Sequence, residues 1–534
     1  MGRPWLRHPV IDVLGALARL VPSRHEHGSR FGDTGRRVHE AEVSTSPGMR
    51  GKALAGASFL GAGQALKIGL TFCSTIILAR LLTPEDFGLI AMTATVTGFL
   101  MMFQNVGLDQ AIIQARRIEP DHLDALFWTG AIFSALVALA IAAAAPFAAQ
   151  FYGDERIRKL MLASSMLVVL GSFNLVQFSL LNREMRFGAL SLIDIAANIL
   201  SFIVAISAAF VLRSYWAIWL GNLAAVLLNV IAAFSLVRWL PRRGPSLHGV
   251  GELWKFARGL AGFNIVNFIA RNLDNVLIGR FSGAVELGIY DRAYRLMLFP
   301  LQNFNAPLSR VMLPMLARLA DEPARYRRAY LLALQLIQMA TVPGIAVAGA
   351  ASGDLIPLLL GEKWRSAAAI FYWLSLSAIL QSVFNTTGWL FISSHRTGAL
   401  FRWGLFSCAV TAVGFAIGVH WGGVGVAVAY LCCNLGFLPV LTVWATRGTP
   451  VNARDLIVAM APSFTAAGAT WLGVTLALPH LRTVPLLVVS LMLAYALNLL
   501  AHLTTFRGRE ALSVIVETVN RGLPRVLRRV HAAR

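Results

Sequence analysis

Ile76–Met92 reads IILARLLTPEDFGLIAM. An apolar run closes on Ala79-Arg80, a short polar connection carries Thr83, Pro84, Glu85 and Asp86, and a second apolar run opens at Phe87. The first run reaches back to residue 53 and the second continues to residue 114. A helix crossing the hydrocarbon core needs roughly 20 apolar residues, and both runs are long enough. The stretch therefore reads as two neighbouring membrane-spanning helices and the turn between them.

The same pattern fills the chain. Further spans are expected at 123–149, 157–181, 188–212 and 215–238, then at 260–281, 287–317, 328–351, 366–393, 399–419 and 422–446, with 453–478 and 484–504 last. The expected fold class is an all-α integral membrane protein with about 14 transmembrane helices. Composition agrees: of 534 residues 57% are hydrophobic and only 14% charged, and the mean hydropathy is +0.65. A soluble chain of this length needs far more charge to cover its surface.

The formal net charge of +21 does not point to nucleic acid, because Lys and Arg collect in short loops and in the two tails. That distribution is the positive-inside pattern, and basic residues beside the bilayer attract anionic headgroups. It places both termini in the cytoplasm of a multi-pass inner-membrane protein, with Arg116-Arg117, Arg183, Arg186, Arg242-Arg243 and Arg327-Arg328 on the same side. Cys73, Cys408, Cys432 and Cys433 lie inside apolar spans with no metal-ligand spacing. No His-Glu-x-x-His, P-loop, dinucleotide fingerprint or nucleophile elbow occurs, so neither enzyme, metal site nor cofactor is expected.

An internal repeat organises the spans. Ala79-Arg80 and Glu85-Asp86-Phe87-Gly88 align with Gly279-Arg280 and Val285-Glu286-Leu287-Gly288. Arg186 and Gly188 match Arg396 and Gly398, and Tyr152-Gly153-Asp154 resembles Leu360-Gly361-Glu362. The expected organisation is a disordered basic extension (1–50), a six-helix lobe (51–240), an interfacial amphipathic linker (241–259), a second six-helix lobe (260–446), two additional helices (447–505) and a basic tail (506–534). Met49 offers an alternative start. Six is even, so both lobes enter from the same side and the repeat is parallel, an arrangement that holds substrate between lobes.

The stretch Ile76–Met92, followed by Gly107-Leu108-Asp109-Gln110-Ala111-Ile112-Ile113-Gln114, resembles the polysaccharide transporter family, the Wzx-like oligosaccharide-lipid flippases of the multidrug/oligosaccharidyl-lipid/polysaccharide superfamily. Asn272–Arg280 and Tyr290-Asp291-Arg292-Ala293-Tyr294 resemble it as well, and the likeness covers residues 50–450. The resemblance implies two lobes around a central cavity that opens alternately to each side. It also implies a substrate: undecaprenyl-diphosphate-linked oligosaccharide, flipped for lipopolysaccharide or exopolysaccharide synthesis. A polysaccharide polymerase and export machinery are possible partners beside membrane lipid.

An anionic headgroup needs cations and donors inside the membrane, where charges are costly and face cavities. The candidates are Gln64 and Lys67 in the first span, Asn105 in the second, Asn267, Arg271 and Asp274 in the seventh, and Arg292 and Arg295 in the eighth. Arg271 can clamp a diphosphate bidentately or pair with Asp274 one turn on. Lys67 has no acid three or four residues away, leaving a cavity role, snorkelling or a partner on another helix. Arg292 and Arg295 flank Asp291 and either steer the headgroup or anchor at the interface. Pro300, Pro307 and Pro314 mark the eighth span as bent. A multidrug exporter, a lipid II flippase of the same superfamily and a membrane polysaccharide polymerase are the alternatives. The first would present carboxylates to a cation, and the last would need a larger outer loop.

Overall fold

The computed structural model describes residues 47–102, 120–237, 239–241, 250–477, 484–505 and 508–513. Among these the chain is helical, without strands. In chain order the helices are α1 (Pro47–Leu81), α2 (Pro84–Met101), α3 (Pro120–Tyr152), α4 (Glu155–Ser172), α5 (Leu175–Arg183), α6 (Phe187–Leu212), α7 (Trp216–Leu236), α8 (Val250–Arg318), α9 (Pro323–Ala350), α10 (Ser352–Leu360), α11 (Ala367–Ser393), α12 (Thr397–Gly418), α13 (Gly422–Thr446), α14 (Ala453–Ala477) and α15 (Val484–Leu503).

Eight helical stretches are long and apolar enough to cross a membrane, and a ninth results if α4 and α5, bent by 41° at their junction, form one span. One of the eight, Thr397–Thr446, holds both α12 and α13, which turn on Gly422 (φ 66°). The expected number of about 14 spans is not fixed by this criterion. The stretches α1, α2 and α8 fall outside it.

The sequence places a break between the seventh and eighth spans. In the structure α8 runs through both, interrupted only at Gly283, whose φ of 83° lies where side chains with a Cβ are strained. From Val250 the chain is already helical, so the last part of the expected linker is the opening of α8. Residues 242–249, like the first 46, lie outside the described residues.

Burial sorts the helices. In the most apolar window of α9 78% of residues are buried and in α11 72%, against 17% in α6, α7 and α15. The latter expose Leu192, Ile203, Phe210, Ile231, Met492 and Leu500, a surface that only lipid can cover at this scale. One core runs through both halves, from Leu82, Phe87 and Ile141 to Tyr290, Trp364 and Phe415. A second, around Tyr330, Phe391 and Met460, belongs to the C-terminal half.

The repeat is legible in the backbone. Gly153 (φ 75°) and Gly361 (φ 103°) turn the chain at matching positions, as do Met185 (φ 54°) and His395 (φ 56°), each just ahead of the arginine that opens α6 or α12.

Candidate functional site

The stretch that opened the sequence reading builds the contact between the halves. Thr83 caps α2: its Oγ1 accepts from the Asp86 amide at 3.3 Å, while the Asp86 carboxylate accepts from the Thr83 amide at 2.9 Å. This reciprocal cap satisfies two of the donors a helix start leaves unpaired. The other oxygen of Asp86 accepts from the Tyr215 amide at 2.9 Å, ahead of α7. Two hundred positions on, Glu286 accepts from the Gly423 amide at 2.9 Å, in the first turn of α13.

Gly88 and Gly288 bring the halves together. A Cβ on Gly88 would overlap the Ala284 carbonyl oxygen, and a Cβ on Gly288 would overlap that of Pro84. The two contacts are one contact repeated by a local twofold. Around them the last carbonyls of α1 are taken by the opposite half: Trp364 Nε1 donates to Ala79 O at 2.8 Å and Lys363 Nζ to Arg80 O at 3.0 Å. The Arg80 guanidinium donates to Leu358 O and Leu359 O, while Arg280 lies over Phe151 at 5.7 Å. Deeper in, Phe99 meets Phe268 at 5.7 Å between ring centres and Phe72 meets Phe299 at 5.0 Å. Gly88 and Phe99 are separated by roughly 16 Å of helix at 1.5 Å per residue. The halves are therefore shut against each other from the α1–α2 turn to about mid-membrane.

The candidate cations around this closure are not equivalent. Lys67 on α1 reaches Asp194 on α6, Nζ to Oδ2 2.7 Å, with Asn198 donating to the same carboxylate at 3.2 Å. The partner on another helix is the outcome for Lys67. Asp291 takes both neighbouring arginines, Arg292 Nη2 at 2.6 Å and Arg295 Nε at 2.8 Å. The Arg292 guanidinium is buried and stands 4.3 Å over the Phe87 ring. A cation so placed gains from the ring quadrupole, and it fastens the second half to α2. Arg295 keeps an exposed side chain.

Arg271 differs. It is exposed, and among the described residues no carboxylate pairs with it. The pairing with Asp274 is not made: that carboxylate is buried and accepts from Tyr290 Oη at 3.0 Å and the Asn275 amide at 2.9 Å. Tyr290 stacks on Tyr294 at 5.9 Å, Tyr294 meets Tyr430 at 6.5 Å, and Tyr430 Oη accepts from Gln381 at 3.0 Å. A cavity of about 300 Å³ between α2 and α8 is lined by Val96, Phe99, Phe268, Ile269, Asn272 and Leu273.

Gln64 is exposed on α1. Asn105 lies outside the described residues, and of Asn267 only its helical backbone position is described. The sequence analysis missed Asp194, although a lone acid within a span is itself the signal. It also missed Lys363 and Trp364, for which no local signal exists.

Comparison with known proteins follows this geometry. Residues 77–369 match the model of the family described as "Polysaccharide biosynthesis protein". The chain belongs to that family. Among curated proteins it is similar to the lipopolysaccharide biosynthesis protein WzxC of Escherichia coli, 23% identical over 72% of this chain and 79% of the relative. It is similar also to the succinoglycan biosynthesis transport protein ExoT of Rhizobium meliloti, 26% identical over 73% and 81%. The teichuronic acid biosynthesis protein TuaB of Bacillus subtilis is 27% identical over 66% and 76%. Among solved structures the fold matches the lipid II flippase MurJ in an inward closed conformation, with a TM-score of 0.66, 12% identity and coverage of 82% of this chain and 97% of that one. It also matches a multidrug resistance MATE family transporter in an inward-facing conformation, with a TM-score of 0.54, 14% identity and coverage of 76% and 95%. The protein is thus a multi-pass membrane protein of the polysaccharide biosynthesis family with the fold of these transporters.

Proposed function

We propose that the protein flips an undecaprenyl-diphosphate-linked oligosaccharide across the inner membrane by alternating access between its two halves. The observation that carries this reading is Arg271. A cation with no carboxylate partner among the described residues is costly at membrane depth, and a passing diphosphate relieves that cost through a bidentate, charge-assisted contact. Lys67 is paired with Asp194, and Arg292 and Arg295 share Asp291, so Arg271 is the candidate cation with no carboxylate beside it among the described residues. The apolar cavity between α2 and α8 suits the start of a prenyl chain. Under the positive-inside orientation, with both termini cytoplasmic, the closed face is the outer one and headgroups enter from inside. Polymerase and export machinery would act on the delivered unit.

The test is complementation of a strain whose surface glycan depends on this gene, with Arg271→Glu and Arg271→Lys, membrane insertion being measured in parallel. Loss of surface glycan with precursor accumulating in the inserted Glu variant, and partial export by Lys, supports the reading. Normal export by Arg271→Glu overturns it.

A further inference from the structure

We propose that the cleft between α9 and the helical segment 508–513 is a second, peripheral site that binds a phosphate-bearing headgroup. It lies apart from Arg271 and from the contact between the halves, and transport as read above does not require it. Arg328, Leu331, Leu332 and Gln335 follow one another at helical spacing on one face of α9. Segment 508–513 lies against that face: Arg328 is ion-paired with Glu510, Ala511 is fully buried, and the Gly508 amide donates to Thr505 Oγ1 at 3.1 Å. Next to Arg328, Arg327 is ion-paired with Asp455 on α14. Between these groups lies a cavity of about 190 Å³, continuous in its lining with a shallower depression that adds Arg509 and Ser513.

Among the described residues two donors lining the cavity have no partner. Gln335 is 1% exposed and its Nε2 is unsatisfied, and so is the buried Nε of Arg327. Buried donors are seldom left so, because each loses its bonds to water without replacement. Both want an acceptor, and the second sits on a guanidinium. Three arginines, Arg327, Arg328 and Arg509, face two carboxylates, Asp455 and Glu510, so one positive charge is left over. A phosphate monoanion answers that balance. Leu331 and Leu332 form an apolar wall deeper along α9, where the ester carbonyl and first methylenes of a phospholipid would lie within reach of Gln335. The cavity of about 190 Å³ holds a phosphoglycerol group.

The test uses the full chain purified in detergent. Phosphatidylglycerol, phosphatidylcholine and inorganic phosphate are titrated separately, with retained ligand read by native mass spectrometry and protection of Arg327 and Arg328 from phenylglyoxal read by peptide mapping. Phosphatidylglycerol is expected to be retained and to protect both arginines. Retention is expected to fall at least about fivefold, one hydrogen bond's worth, in Gln335→Leu and in the charge-balanced pair Arg328→Gln/Glu510→Gln. Saturable protection by inorganic phosphate alone would assign the site to free phosphate instead of lipid. Absence of protection by either probe in the wild-type chain overturns the proposal without relying on any variant. So does retention unchanged in both variants.

Discussion

Asp86 and Glu286, two hundred positions apart, make the same bond: each carboxylate accepts from a backbone amide at the start of the last helix of its own half, Tyr215 for one and Gly423 for the other. The shorter Asp86 also closes the cap of α2 through Thr83. It therefore satisfies three donors with one side chain, counting the Thr83 hydroxyl at 2.7 Å.

Asp86→Ala removes all of these acceptors from a buried position. The expected loss is about 1–3 kcal/mol, the range for a lost cap with an unsatisfied buried amide. Asp86→Asn, which keeps one carbonyl oxygen, should lose less. Thermal unfolding of the purified variants checks the order.

At Gly88 and Gly288 the prediction concerns states rather than folding. A methyl group at either position meets backbone of the other half, so Gly88→Ala and Gly288→Ala oppose the closed arrangement and leave an open one untouched. Overpacking of this kind costs about 1–3 kcal/mol, which shifts a two-state population roughly 5–150-fold. Reporter cysteines near the α1–α2 turn should label faster in both variants while protein levels hold.

The Lys67–Asp194 pair is half exposed, so its coupling is modest, about 0.2–1 kcal/mol by the usual yield of such pairs. Lys67→Ala and Asp194→Ala should each impair function more than the double variant, since each single change leaves one charge alone within the membrane. A double-mutant cycle on glycan export reads this directly.

Asp154 supplies a pH dependence outside the spans. A hydrogen bond from the Arg156 side chain holds its carboxyl below the ordinary value, despite partial burial, and Arg156 also pairs with Glu85. A depressed carboxyl contributes stability that is present above the unfolded pKa and is lost as pH falls through the folded one. Asp154→Asn should therefore lower the melting temperature at neutral pH. The gap to the wild type should close as pH drops below about 4, the ordinary aspartate range.

Much of this architecture is legible in one dimension because membrane helices announce themselves by run length. The expected 188–212 and 422–446 correspond to Phe187–Leu212 and Gly422–Thr446, where one apolar stretch ends at Arg213 and the other begins at Gly422. The offset between the repeated motifs survives as paired left-handed turns at Gly153 and Gly361. The kink between α4 and α5 and the short α10 left no such trace, since hydropathy does not record direction. The site was legible as a set of residue types but not as a set of pairings. Whether Arg271, Arg292 or Lys67 keeps a free charge depends on which acid another helix presents, as Asp194 does for Lys67. The bond from Trp364 to Ala79 joins residues that nothing in the sequence connects.

The twofold of Gly88 and Gly288 has a consequence for the permeability of the membrane. Gly88 meets Ala284 and Gly288 meets Pro84, so the two contacts join the same pair of segments and part together. The seal across an energised bilayer therefore opens as one unit, without an edge at which ions could find a path while the rest stays shut.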